Sequence, residues 1–161
     1  MAAVDYFLKL DGIEGESTDK KHKGEIDVQS FSFGVSQGGT FSRGGGGGAG
    51  KASFQDMHFT KEYDKASPKL MLACASGQHI AKATLVCRKA GGDQEEYLKI
   101  EFGDILVSSY QIGGTSGSAL PTDQFSLNYG KIEKEYKEQT AKGTLGGSVK
   151  AGWNLKENAK V

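Results

Sequence analysis

Three histidines, two cysteines, two carboxylate pairs and a glycine-rich stretch ending in lysine are the groups in this chain whose types or spacing could support chemistry. Gly45 to Ala52 approaches a phosphate-binding loop, with Gly45, four residues, then Gly50 and Lys51. Such a loop needs a hydroxyl after the lysine to hold magnesium and a helix N-terminus facing the phosphate. Position 52 is Ala, and the residues after it alternate as a strand does, so nucleotide binding is not expected. His22, His58 and His79 are isolated and occupy no i, i+4 helical spacing, which predicts structural or surface roles and not a zinc site. Cys74 and Cys87 are too few for a disulfide framework and lack the C-x-x-C spacing, so they read as reduced, buried thiols. Ser116 lies among glycines but outside the G-x-S-x-G pattern of a nucleophile elbow. Glu14 with Glu16 and Glu95 with Glu96 could serve as acid and base in glycoside hydrolysis, yet both pairs flank turns and mix with lysines, which predicts a solvated surface. No catalytic, cofactor-binding or metal-ligating residue is assigned.

The elements that would position these groups are mostly strands. Val4, Tyr6, Leu8 and Leu10 alternate with Asp5, Phe7 and Lys9, which predicts a strand over 4–10. Ile26 and Val28 share a face, and Phe31, Phe33 and Val35 continue in the opposite phase, so a bulge or strong coiling is expected near Gln29. Further strands are expected at 52–60, 80–89, 96–110, 123–136 and 149–155. The phase changes again at Gly103 and at Gly130, as a curved, closed sheet requires. One short helix interrupts them. Ser67 is expected as its N-cap, Pro68 at the first helical position, Lys69 to Ser76 as its body with Leu70, Ala73 and Cys74 on one side, and Gly77 as its C-terminal cap. The fold class expected is mainly β: a small closed β-barrel of seven or eight strands with one short α-helix, as a single domain over 1–161.

Composition bounds the function. Glycine fills 24 of 161 positions, against an average near 7%. Eight of the thirteen residues from 38 to 50 are glycine, and 113–118 and 143–147 repeat the theme, so these three segments read as loops. A loop as long as 38–50 points to function or disorder. Hydrophobic residues make up 37%, with 8 Phe, 6 Tyr and 1 Trp, enough for a core. Twenty basic and twenty acidic residues cancel, and Arg43 and Arg88 are the only arginines, which argues against nucleic acid as a partner. Neutrality favours self-association instead. No run approaches the ~20 apolar residues that would span a bilayer. The N-terminus carries Asp5 and Lys9 within its apolar run and has no basic lead, so no cleavable signal peptide is expected and the chain is expected to be made in the cytoplasm.

Ordered strings go further than composition. Phe7-Leu8-Lys9, Asp11-Gly12-Ile13, Gly15-Glu16-Ser17, His22-Lys23-Gly24-Glu25-Ile26, Phe31-Ser32-Phe33-Gly34 and Ser36-Gln37 resemble the haemolysin-coregulated protein family, the tube proteins of bacterial type VI secretion. The resemblance continues through Phe59-Thr60-Lys61, Asp64-Lys65-Ala66-Ser67-Pro68-Lys69-Leu70, Arg88-Lys89-Ala90-Gly91-Gly92, Glu96-Tyr97-Leu98 and Val107-Ser108-Ser109-Tyr110, and ends at Gly152-Trp153-Asn154. It departs at Phe31 and Phe33, where the family often has tryptophan. The resemblance implies a barrel that assembles as a homohexameric ring with a wide channel. Rings stack into a hollow tube inside a contractile sheath and behind a spike protein, and the tube is expelled into the medium or a target cell. Small effector proteins travel in the channel, and no cofactor, nucleic acid or direct membrane insertion is involved. An end soon after the last strand fits the expectation of no fused toxin domain.

Two sets of residues follow as candidates. Gly38, Gly39, Arg43, Gly44, Gly45, Gly46, Gly47, Gly48 and Gly50 are expected to form an arm that reaches an adjacent ring or subunit, because glycines allow backbone conformations that other residues resist. Ser30 and Ser32 are expected to face the channel, since Phe31 and Phe33 should face the core and alternation turns the serines outward. The reading from another class is a monomeric barrel that binds a small ligand, against which stands an interior filled by Phe, Leu and Tyr.

Overall fold

Alternation over Val4–Leu10 makes β1, with Leu8 and Leu10 buried on one face, Lys9 exposed on the other, and Phe7 buried on that second face. This computed structural model describes residues 4–39, 51–89, 94–139 and 145–161. After β1 come β2 (Ile26–Val28), β3 (Ser30–Ser32), β4 (Val35–Ser36), β5 (Ser53–Phe54), β6 (Met57–Glu62), the helix α1 (Ala66–Ser76), β7 (His79–Lys89), β8 (Glu96–Gly113), β9 (Thr122–Gln139), β10 (Leu145–Asn154) and β11 (Ala159–Lys160). Nine strands share one sheet, and β4 with β5 forms a separate two-stranded piece.

The long β8–β9 hairpin joins two halves of that sheet. Its end nearer the start of β8 lies between β7 and β10, and the path continues through β1 to β2 on one side and to β11 on the other. Its turn end lies beside β6, which in turn pairs β3. Bulky side chains from both halves fill the interior, among them Leu8, Ile26, Phe59, Phe102, Phe125 and Leu127, each almost fully buried. Each such burial contributes about 1.5–3 kcal/mol.

Two features of this architecture correct the sequence reading. Among the described residues eleven strands replace the seven or eight expected, because the 26–35 run breaks after Val28 and Ser32, the 52–60 run breaks at Gln55 and Asp56, and β11 is added. The pairings also do not run round a closed barrel: β2 pairs β1 and β3 pairs β6, and the two halves meet there through the covalent link at Gln29. Its amide donates to the Thr60 carbonyl at 2.8 Å, so the chain changes partner at the position where its phase changes. Gly146 and Gly147, expected in a loop, lie within β10 beside a register shift.

The phase change in β8 is real, but glycine does not make it. Asp104 adopts φ 54°, and Gly103 has no left-handed backbone. Gly130 supplies the room opposite, since a Cβ there would approach the Asp104 Cβ to 3.2 Å. A second irregularity, between Val107 and Ser109, resets the phase again. The helix buries Ala66, Ser67, Leu70 and Ala73, and Gly77 closes it at φ 65° with its N–H toward the Ala73 and Cys74 carbonyls. Lys65, not Ser67, is its N-cap residue and makes no side-chain cap bond. Asp64 does the capping work, accepting from the Ala66 amide at 2.9 Å.

Candidate functional site

On an antiparallel sheet, residues opposite each other point to the same face. The outward rows of the β3–β6–β9–β8 half therefore follow from register. Ser30 lies opposite Thr60, Thr60 opposite Gln124, and Gln124 opposite Gln111. The next row is Ser32, His58, Ser126 and Ser109, of which Ser126 is buried and hydrogen-bonds to Ser108 and Ser109. Ser30 and Ser32 are exposed, as expected, and between these rows Phe31, Phe59 and Phe125 point inward, Phe59 and Phe125 fully and Phe31 partly buried. The rows consist of hydroxyls, amides and one imidazole, with no lysine, arginine or carboxylate among them. Ser109 and Ser126 hydroxyls lie 2.5 Å apart. At the margin Asp56 accepts from Ser108 at 2.6 Å and from Asn128 at 2.9 Å. A concavity lined by Gln111, Thr115, Ser118, Thr122 and Gln124 extends the same chemistry into the β8–β9 turn.

The outward face of the other half is a charge lattice. Lys99 lies opposite Glu135 and Glu135 opposite Lys150, with Glu101 facing Glu133 in the neighbouring row. Lys99 pairs with Glu101 at 3.1 Å and Lys150 with Glu135 at 3.1 Å, and the Lys99 contact holds the Glu101 carboxyl below its usual range. The exposed Glu62, opposite Thr122, and Asp56 bound the rows of the first half, so the two outer faces differ in charge density: one is hydroxyls and amides with carboxylates at its margins, the other a lysine and glutamate mosaic.

Two buried polar clusters fix the elements that carry these faces. Lys61, fully buried on β6, places Nζ 3.0 Å from both oxygens of the fully buried Asp123, its Cα partner on β9, and donates to Oδ2. The same ammonium donates to Asp64 at 2.9 Å and Ser67 at 2.6 Å, which ties the start of α1 to the sheet. Tyr110 donates its hydroxyl to Asp123 at 2.7 Å; burial and this bond push its pKa up. On the opposite side of the molecule's core sheet, the 11–25 loop lies against β1 and β7. Arg88 donates to Asp19 at 2.6 and 3.0 Å and to Asp5 at 3.1 Å, and these bonds hold Asp19 down to about 2. His22 stacks on Phe7 at 4.4 Å, with Nδ1 3.0 Å from Glu25 and Nε2 2.6 Å from Glu96.

The remaining candidates separate. Gly38 and Gly39 are exposed, while Arg43, Gly44, Gly45, Gly46, Gly47, Gly48 and Gly50 lie outside the described residues. His58 belongs to the neutral face, His22 to the Arg88 cluster, and His79 contacts Asp104 at 3.2 Å, so the three stand apart. Glu96 is more than a solvated carboxylate, since it holds His22. Cys74 and Cys87 are both free, and burial pushes the Cys87 thiol up to about 12, which removes it from thiolate chemistry at neutral pH. Sequence reasoning named Ser30 and Ser32 and missed Thr60, Gln124, Gln111, His58, Ser126 and Ser109. Alternation with Phe59, Phe125 and Tyr110 carried that signal, but the register joining them across strands did not lie in any one segment.

A family model described as "Type VI secretion system effector, Hcp" matches residues 7–136. Protein hcp1 of Pseudomonas aeruginosa is 48% identical over 161 residues, covering 99% of this chain and 99% of that protein. Among solved structures, one described as a type six secretion system protein is 36% identical with a TM-score of 0.94, covering 99% of this chain and 100% of the other. Hcp1 from Salmonella typhimurium is also 36% identical, with a TM-score of 0.82 and coverage of 99% and 100%.

Proposed function

The chain belongs to the Hcp family of type VI secretion effectors, and from that premise we propose that it is the repeating subunit of a hexameric ring. Rings of this subunit stack into a hollow tube, which a contractile sheath expels behind a spike protein with small effector proteins in its channel. The observation that carries the reading is the β3–β6–β9–β8 half-sheet. Among the described residues, β3 pairs only β6, and the last pair between β8 and β7 is Leu106 with His79, so both outer edges of this half-sheet lack strand partners. Two edges without strand partners on one subunit are compatible with head-to-tail pairing, which closes a ring when the rotation is right and satisfies every copy equally. Ile112, half exposed beside the β8 edge, would be covered by such pairing.

In the ring the neutral face turns to the channel. A wall of hydroxyls and amides offers cargo hydrogen bonds without the long-range attraction or repulsion that charges impose. The Gly38–Gly50 segment is proposed as the arm that reaches an adjacent ring or subunit. No helix among the described residues is long and apolar enough to cross a membrane. Native mass spectrometry at micromolar protein tests the reading: a sixfold mass is expected, and a monomer overturns it.

A further inference from the structure

The core of this subunit is unsealed on one flank. Core-facing rows continue across β8, β9 and β10 as Phe102, Ile132 and Trp153, then Ile100, Lys134 and Ala151, then Leu98, Tyr136 and Val149. The far row opens to solvent at β9 and β10, where Tyr136 is 46% and Val149 69% exposed, while Leu98 and Trp153 stay partly buried against the core. Where this flank meets β4 and β5, an apolar groove opens, lined by Phe33, Val35, Phe54, Ala151 and Trp153 with Lys134 at its side. Phe54 stacks on Trp153 at 6.5 Å, and Lys134 holds its ammonium 3.7 Å over the Phe33 ring. Burial pulls the Lys134 pKa below the ordinary lysine value.

The helix presents the matching shape. Its inner side is spent on Leu70 and Ala73, yet its outer side is apolar too: Pro68, Met71, Leu72 and Ala75 are all exposed and recur at the three-and-four spacing of one helical stripe. Met71 is 56% exposed and Leu72 60%. The last turn of α1 carries no basic residue, so the partial negative charge at that end has no cation from its own helix. Groove and ridge share no residue. One is concave with a half-buried lysine at its side, the other convex with no basic side chain in its last turn.

We propose that the Pro68–Met71–Leu72–Ala75 ridge of one copy seats in the Phe33–Val35–Phe54–Trp153 groove of the next, with Lys134 meeting the C-terminal end of the incoming helix. This rests on the ring reading and names the joint that the strand edges alone leave open. The joint is heterologous, since ridge and groove differ, and each copy contributes one of each. It also explains why the core stays unsealed: the neighbour's helix is the missing lid.

Complementation tests this against any two-fold alternative. Leu72→Glu spoils the ridge and Val35→Glu the groove, and both positions are exposed enough for each variant to keep the native circular dichroism spectrum. Each variant alone is expected to run as a monomer by native mass spectrometry, a sixfold fall in mass. An equimolar mixture is expected to give dimers and no larger species, because one intact ridge and one intact groove remain per pair. As an independent readout, Leu72→Cys with Val35→Cys in a Cys74→Ser background should give an oxidation ladder of linked copies that neither single cysteine gives. Rings that survive both charge substitutions overturn the joint and leave the ring reading standing. A mixture that stays monomeric, or a ladder that never forms, also overturns the joint. A wild-type chain that is itself monomeric overturns the ring reading first.

Discussion

Lys61 and Asp123 are both fully buried, and removing one partner should cost far more than removing both. The Lys61 ammonium has Asp64, Ser67 and Asp123 at 2.9, 2.6 and 3.0 Å, with the Glu62 carbonyl at 3.4 Å. Lys61→Met leaves Asp123 a buried carboxylate whose one remaining donor is the Tyr110 hydroxyl. Breaking a buried pair from one side costs about 3–5 kcal/mol, whereas replacing both members by apolar groups of similar volume is neutral or stabilising. Lys61→Met is therefore expected to destabilise by about 3–5 kcal/mol. Asp123→Leu should fall at the lower end of that range, because Asp64 still answers the ammonium. The double variant Lys61→Met/Asp123→Leu should return to within about 1 kcal/mol of the wild type or exceed it. At about 2–4 °C per kcal/mol for a chain of this size, the first substitution lowers Tm by roughly 6–20 °C. Urea unfolding followed by the fluorescence of Trp153 reads all four proteins, at one fixed concentration because assembly adds concentration-dependent stability. A Lys61→Met cost under about 1 kcal/mol, or a double variant no better than the worse single one, refutes the claim that the buried charges depend on each other.

Acid should weaken the 11–25 loop first. Asp19 is held at about 2 against 3.8, so its contribution is complete above the unfolded value and is lost as pH falls from about 4 toward about 2. Allowing for a side chain one-fifth exposed, this amounts to roughly 1–2 kcal/mol; Asp19→Asn should lower stability at neutral pH and flatten the acid limb of the urea midpoint, and an unchanged limb counts against the Arg88 account. Deleting residues 43–49 should leave the sixfold mass intact and reduce tube length in electron micrographs; tubes of normal length would remove the arm from stacking. Ser32→Tyr should keep the ring and weaken cargo retention in a pull-down with a cognate effector, and undiminished retention would take Ser32 off the channel wall.

Alternation made most strands legible: β1 is read to its ends and β7 to within a residue, although β7 changes phase between Ile80 and Ala83, opposite the turn at Asp104. The failures share a cause. Each place where the apolar set changes phase was visible, at Gln29, Gly103 and Gly130, but the backbone device was not. At Gln29 the chain changes partner instead of bulging within one pair, and at 104 an aspartate takes the left-handed conformation while glycine opposite only makes room. Lys61 carried a signal of its own, a charge in phase with Met57 and Phe59, as did Asp123 in phase with Phe125 and Leu127. One such charge reads as an exposed strand end; only register shows that two of them face each other. The neutral face follows the same rule, since Ser30 and Ser32 are local facts and the rows to Gln111 and Ser109 are not.

The phase changes also explain how one hairpin can serve two surfaces. In the first half of β8, Ile100 and Phe102 point inward and Lys99 and Glu101 outward. Without the turn at Asp104, Ile105 and Val107 would follow Lys99 and Glu101 to the outside, and the apolar set would be divided between core and water. With it, all four stay inside and the outward positions pass to residues of the other parity. The reset between Val107 and Ser109 repeats the step, so that Tyr110 turns in and Ser109 and Gln111 turn out. Each irregularity thus frees the outer chemistry of the second half from that of the first. A sheet of unbroken phase would present one pattern along its length; this one places a charge lattice and an uncharged wall on the same two strands, which a subunit needs if it is to meet different partners on its two sides.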